Sequence, residues 1–191
     1  MALALLESQI AASLTQRSYL LALLGTLCVP DMAGAISSDQ GVASRQAYID
    51  WYERWVRQVY VAQVRRTFEW QGSAIPATLA NPFTGAMCYA YRCAMLHQGR
   101  SDPENLGYSQ VLFLEPDAPN NGLHMHNLGT PEVPGPLILN LVRFCTDMLD
   151  GLRNWQETSV GTEPYERNMA KTLQRDQDGV WAVHFRASVV T

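Results

Sequence analysis

Lysine is almost missing from this chain: of fourteen basic residues only Lys171 is not an arginine. Acids outnumber bases and leave a formal net charge of −4, which excludes a broad basic coat for nucleic acid but not a small positive cleft. Charged residues make up 17% and apolar ones 47%, which excludes a disordered chain. Cysteine is scarce. Cys28, Cys88, Cys93 and Cys145 form no C-x-x-C pair, so they read as reduced thiols in apolar helices rather than a zinc site or disulfide framework. The longest apolar run, Tyr19 to Met32, is too short for a bilayer and holds Pro30 and Asp31. The start, Met1-Ala-Leu-Ala-Leu-Leu-Glu-Ser, has no basic n-region. A cytoplasmic protein with no membrane partner is expected. Phosphate-binding glycine loops, G-x-S-x-G and H-E-x-x-H are all missing, so no cofactor and no metal are expected.

What is present is helical periodicity. The 191 residues suffice for one domain with a sizeable core. Leu3, Leu6, Ile10 and Leu14 stripe a helix over 3–16. A nearly all-apolar second helix is predicted from Ser18 to Cys28, ended or kinked by Pro30. Asp31 follows in an apolar setting and needs a donor. Ser44 is a candidate N-cap for a third helix reaching Thr67. Its aromatic face of Tyr48, Trp51, Tyr52 and Trp55 reads as core, and its arginines as a solvated face. Gly72 to Pro82 reads as a linker, and Leu137 to Trp155 as another long helix. Glu163 to Arg175 reads as a more polar one. Strands are predicted over 108–114 and 122–128, forming a hairpin, and over 180–189. On such a strand His124 and His126 share one face as exposed residues, a metal site there wanting a third ligand. The expected fold is mainly α: a single domain over 1–191, a bundle of four to five helices with a small β-hairpin or sheet appendage at about 108–128 and 178–190.

The chemistry concentrates in Thr84-Gly-Ala-Met-Cys-Tyr-Ala-Tyr-Arg-Cys-Ala-Met-Leu-His-Gln-Gly99. Thr84 is a fitting N-cap and Gly99 a fitting C-terminal stop. A helix this apolar is expected to be buried, and burial leaves Arg92 in need of a partner or a task. Arg92 and His97 join a phosphate-binding group to an acid/base that works near neutral pH. Five residues turn a regular helix by about 500°, so the two side chains diverge by about 140°. They meet on one phosphate only if the last turn frays or Arg92 reaches along the axis.

Arg92-Cys-Ala-Met-Leu-His97 resembles the R-x(4–6)-H motif of the HEPN superfamily. Cys88-Tyr-Ala-Tyr-Arg-Cys-Ala-Met-Leu-His-Gln-Gly99 is similar to the same helix in a group of uncharacterised bacterial proteins. Pro30-Asp31-Met-Ala-Gly34, Tyr48-Ile-Asp-Trp51 and Phe144-Cys-Thr-Asp-Met148 before Trp155 extend the likeness over residues 5 to 156. The resemblance implies a helical bundle that homodimerises through the motif helix and sets two Arg/His pairs in one cleft. Many such proteins are metal-independent endoribonucleases, among them toxins and stress or defence effectors; others are binding or scaffold modules. It therefore implies RNA as substrate and an antitoxin or other protein as partner. His97 would be the acid/base and Arg92 the phosphate clamp, with Asp31, Tyr89 and Cys93 around them. Active members commonly carry a polar residue where Cys93 stands. The alternative expectation makes Arg92 a strut to Asp31 in a non-catalytic HEPN-like module, with His97 bonded to its helix's last carbonyls.

Overall fold

The computed structural model describes residues 2–70, 72, 74, 83–100, 107–130, 132–175 and 181–182. In chain order they form α1 (Ala2–Thr15), α2 (Tyr19–Ser37), α3 (Arg45–Tyr52), a π-helical segment (Glu53–Arg57), α4 (Gln58–Trp70), α5 (Gly85–Gln98), β1 (Val111–Leu114), β2 (His126–Asn127), β3 (Leu137–Asn140), α6 (Leu141–Ser159), α7 (Glu163–Met169), β4 (Gln174–Arg175) and β5 (Trp181–Ala182). The protein is mainly helical, with a small mixed sheet in its C-terminal half.

The α1 stripe is as the spacing predicts. Leu3 and Ile10 are buried, and Leu6 and Leu14 pack at the margin. α2 is the central element and meets α1, α3, α5, α6 and α7. It does not end at Cys28: it runs through Pro30 to Ser37. An interior proline costs about 3 kcal/mol. Burying Leu27, Val29, Ala33 and Ile36 gains about 1.5–3 kcal/mol for each larger side chain and outweighs that cost. Continued this far, α2 is long and apolar enough to cross a membrane by length and composition, although half of the window is buried inside the fold. Its C-terminal end is tied down by Asn168, whose Nδ2 donates to the carbonyls of Ile36 and Ser38 at 3.0 and 2.6 Å.

Ser44 caps α3 by accepting the Ala47 N–H at 3.1 Å. The predicted single helix continues to Trp70, but a π turn interrupts it. That wide turn sends Glu53 across to α5. The Gly85 N–H donates to Glu53 Oε1 and Arg57 Nη1 to Oε2, both at 2.7 Å. A Cβ at Gly85 would lie 2.7 Å from the Ile49 carbonyl oxygen, so glycine alone fits this crossing. The aromatic face of α3 is core, as predicted: Tyr48, Trp51, Tyr52 and Val56 are buried.

The strands differ from the predicted hairpin. β1 pairs in parallel with β3, Val111 opposite Leu137, and β2 pairs antiparallel with the same strand, His126 opposite Ile138. β3 therefore takes Leu137–Asn140 from the start of the predicted long helix. Asn140 is the reason: its side chain accepts the Arg143 N–H at 2.8 Å and starts α6 at Leu141. The small sheet packs against the helices. Val111, Leu137 and Leu139 belong to the same buried cluster as the helices, and Phe113 sits 5.3 Å from Tyr91 of α5 and 5.1 Å from Phe144 of α6. Past α6, whose face of Leu141, Phe144, Met148 and Leu152 is buried, the helix expected to reach Arg175 stops at Met169 and the chain turns into β4. β4 pairs with β5, so Trp181 and Ala182 do not join the larger sheet. The predicted strand beyond Ala182, and nearly all of the predicted linker from Gly72 to Pro82, lie outside the described residues.

Candidate functional site

α5 has the predicted limits. The Thr84 hydroxyl accepts the Met87 N–H at 3.2 Å. Gly99 takes φ +64°, and the N–H groups of Gly99 and Arg100 return to the carbonyls of Met95 and Ala94 at 3.1 Å. The helix is not buried all round, however. Gly85, Cys88, Tyr91 and Ala94 face inward. Ala86, Tyr89, Ala90, Cys93, Leu96 and His97 form a second stripe that is half-buried or exposed.

On the inner side, the Tyr48 hydroxyl lies 3.3 Å from both the Leu27 carbonyl and Cys88 Sγ. Burial raises the Tyr48 hydroxyl well above its usual range and pushes the Cys88 thiol up to about 12. Both stay protonated, which rules out Cys88 as a nucleophile near neutral pH. Cys145 behaves alike, raised to about 11 by burial. Cys28 and Cys93 depart from the core role expected of all four cysteines. Both are half-buried and lie beside the Asp31–Arg92 pair.

That pair bridges α2 and α5. Arg92 Nε and Nη2 both reach Asp31 Oδ2, at 2.8 and 2.7 Å, with each side chain about one-fifth exposed. Arg92 Nη1 lies 3.1 Å from His97 Nε2 and 3.8 Å from Cys93 Sγ. The Arg92–His97 contact forms on an unfrayed helix. The axial separation of five residues is about 7.5 Å, and the arginine side chain spans it along the axis. Guanidinium only donates, so His97 Nε2 is the acceptor and a neutral His97 carries its proton on Nδ1. His97 is exposed and does not turn back to its helix's last carbonyls.

The electrostatics of the pair are asymmetric. Burial raises the Asp31 carboxyl above the ordinary range and outweighs the pull of Arg92. For Arg92, burial acts downward, but Asp31 and Cys93 together hold the guanidinium above its ordinary value. The Tyr89 hydroxyl is raised chiefly by its hydrogen bond with Cys93. Its ring packs 5.3 Å from Tyr48 and lies under the Arg45 guanidinium at 5.8 Å. The structure thus brings Asp31, Tyr89, Arg92, Cys93 and His97 together. Arg45, Cys28 and Glu53 also belong to the surroundings and went unnoticed in the sequence. Arg45 and Glu53 lie at least 32 positions from the residues they meet, Tyr89 and Gly85, and no local pattern marks such a distance, whereas Cys28 lies one helical turn before Asp31.

A second histidine site differs from expectation. His124 and His126 do not share a strand face, because Met125 between them takes φ +54° and breaks the alternation. His126 is exposed, but the His124 side chain is only 3% exposed. His124 Nδ1 accepts the Asn140 N–H at 3.2 Å, and Nε2 faces Asp147 Oδ2 at 3.6 Å. Tyr60 stacks beside the imidazole at 5.4 Å. With Nδ1 taken by an N–H, a neutral His124 holds its proton on Nε2 and has no lone pair there for a metal. Among the described residues no three His, Cys, Asp or Glu side chains converge on a common point.

Comparison with known proteins finds no family model, no curated protein and no solved structure that matches this chain.

Proposed function

We propose that the chain is a HEPN-like helical module whose Asp31–Arg92–His97 site cleaves RNA without a metal. The observation that carries the reading is the 3.1 Å contact of Arg92 Nη1 with the exposed His97 Nε2, beside a guanidinium anchored on Asp31. Phosphodiester cleavage by an adjacent 2′-hydroxyl needs an acid/base near neutral pH and a cation for the charge that builds on phosphate. His97 supplies the first through Nε2, whose lone pair is freed when the Arg92 guanidinium turns from it to the phosphate. Arg92 supplies the second, and its anchoring by Asp31 fixes where that charge sits. The half-open stripe of α5 from Ala86 to His97 supports dimerisation through this helix, since a second copy would cover it and set two Arg/His pairs together. RNA is then the substrate. If the activity is a toxin's, an antitoxin or other protein partner is also needed.

Incubating purified protein with RNA in EDTA tests the reading, His97→Ala being the control. Cleavage by the parent chain alone is expected; intact RNA with a folded, dimeric preparation would overturn it.

One observation favours a second reading. Asp31 already engages Arg92 through two nitrogens, and the residue after Arg92 is a cysteine. On this reading Arg92 is the strut of a non-catalytic binding or scaffold module. RNA that binds with Arg92- and His97-dependence but is never cut would support it.

A further inference from the structure

Tyr89 stands one turn before Arg92 and Cys93, on the half-open stripe of α5. Its ring is held by two neighbours. The buried Tyr48 ring lies 5.3 Å away in a T-shaped arrangement, and the Arg45 guanidinium stands 5.8 Å from the Tyr89 ring centre. The ring is thereby fixed to the core, while the side chain as a whole stays half-buried.

Residues four apart on a helix share a face, and the Tyr89 hydroxyl donates to Cys93 Sγ. Arg92 Nη1 reaches the same sulfur at 3.8 Å. Two donors from adjoining positions therefore rest on one thiol. Sulfur is a weak acceptor, and both donors gain a shorter and stronger bond from an anionic oxygen placed outside Cys93. Asp31 does not fill that place. It acts on both donors, but it lies on the far edge of the guanidinium, bound by Nε and Nη2 at 2.8 and 2.7 Å. Its charge is matched there, and Nη1 is left facing Cys93 and His97.

We propose that Tyr89 is a second phosphate donor in the Arg92–His97 site. Its hydroxyl leaves Cys93 for a non-bridging oxygen of the phosphodiester as Arg92 Nη1 turns to the same group. This role rests on the reading of the site as one that cleaves RNA without a metal, and it adds a residue that touches the reacting group. Cys93 is only the resting acceptor, and no bond to its sulfur forms or breaks. The hydroxyl stays protonated near neutral pH, which suits a donor and not a base. A ring already held in place needs little reorganisation when charge builds on the phosphate.

Tyr89→Phe keeps the ring and removes only the hydroxyl, so melting should not change. In single-turnover RNA cleavage in EDTA it should lower kcat about tenfold, less than the loss of about 10²–10³-fold for an enclosed oxyanion donor. KM should rise no more than about threefold. The same loss should persist in a Cys93→Ala background, because the hydroxyl acts on phosphate and not through the sulfur. Single-stranded DNA of the same sequence lacks the 2′-hydroxyl and is not cut; Tyr89→Phe should bind it about threefold more weakly than the parent chain. Cleavage by Tyr89→Phe equal to the parent's, a loss that vanishes in the Cys93→Ala background, or equal binding of the DNA overturns the proposal. A parent chain that cuts no RNA overturns the nuclease reading instead, and the DNA measurement then decides by itself whether Tyr89 meets phosphate.

Discussion

Asp31–Arg92–His97 and Tyr60–His124–Asp147 each set a carboxylate and a histidine near one another, but they expose opposite ends. At the first, the acid is half-buried and bonded to arginine, and the histidine stands at the surface with Nε2 against the guanidinium. At the second, the histidine is enclosed. Both of its nitrogens face the protein, and Nε2 is buried opposite Asp147 Oδ2 at 3.6 Å. A histidine must exchange protons with substrate or water to act as an acid/base. Of the two only His97 is exposed, and its Nε2 opens to a substrate only when Arg92 turns away from it. The difference lies in the backbone. Gly99 ends α5 in a left-handed turn that leaves His97 on the last, open turn, whereas the positive φ at Met125 turns His124 inward toward α6.

The largest effect expected from breaking this contrast is catalytic. His97→Ala should lower metal-free RNA cleavage by about 10²–10⁴-fold, the usual contribution of a general acid/base, while stability stays within about 0.5 kcal/mol, as for a surface change. Single-turnover assays in EDTA alongside thermal melts check both halves. Next is Arg92→Ala. It strands Asp31, and losing one partner of a fully buried pair costs about 3–5 kcal/mol. Discounted for the pair's one-fifth exposure, about 2 kcal/mol is expected in urea unfolding. An unchanged midpoint would contradict the strut.

A smaller effect belongs to the closed site. His124→Ala leaves the Asn140 N–H without its acceptor and should cost about 1.5 kcal/mol, with RNA cleavage unaltered. A loss of cleavage at constant stability would show that the two histidines are not so different.

The smallest effect is in the pH dependence. Asp31 has a raised carboxyl in the folded state. The folded chain therefore binds that proton more readily than the unfolded one, between the ordinary carboxylate value and the raised value. Its stabilising contribution is complete below the ordinary value and is lost as pH rises through the raised one. Unfolding of Asp31→Asn followed from acid to neutral pH should lack this fall. The cost of Arg92→Ala should also shrink toward acid pH, where Asp31 becomes neutral and no longer needs a counter-ion.

Much of this was legible in the sequence where the signal was local. Thr84 and Gly99 limit α5 because capping chemistry acts within one turn. The Asp31–Arg92 pairing was readable because an acid and an arginine in apolar surroundings each need a partner. The rest depends on long-range fit. Pro30 stays inside α2 because neighbouring helices bury the turns on either side of it. The π turn at Glu53 answers the N-terminus of α5, 32 residues on. Leu137 extends into a strand because Val111 lies beside it, although its apolar pattern suits a helix as well.

The most direct test of the central claim, that an arginine anchored by Asp31 holds the exposed His97 for its task, is the imidazole nitrogen NMR spectrum of the full chain. The account predicts that neutral His97 carries its proton on Nδ1, with Nε2 hydrogen-bonded, and that Arg92→Ala abolishes this preference. A neutral His97 protonated on Nε2 in the parent chain would contradict it.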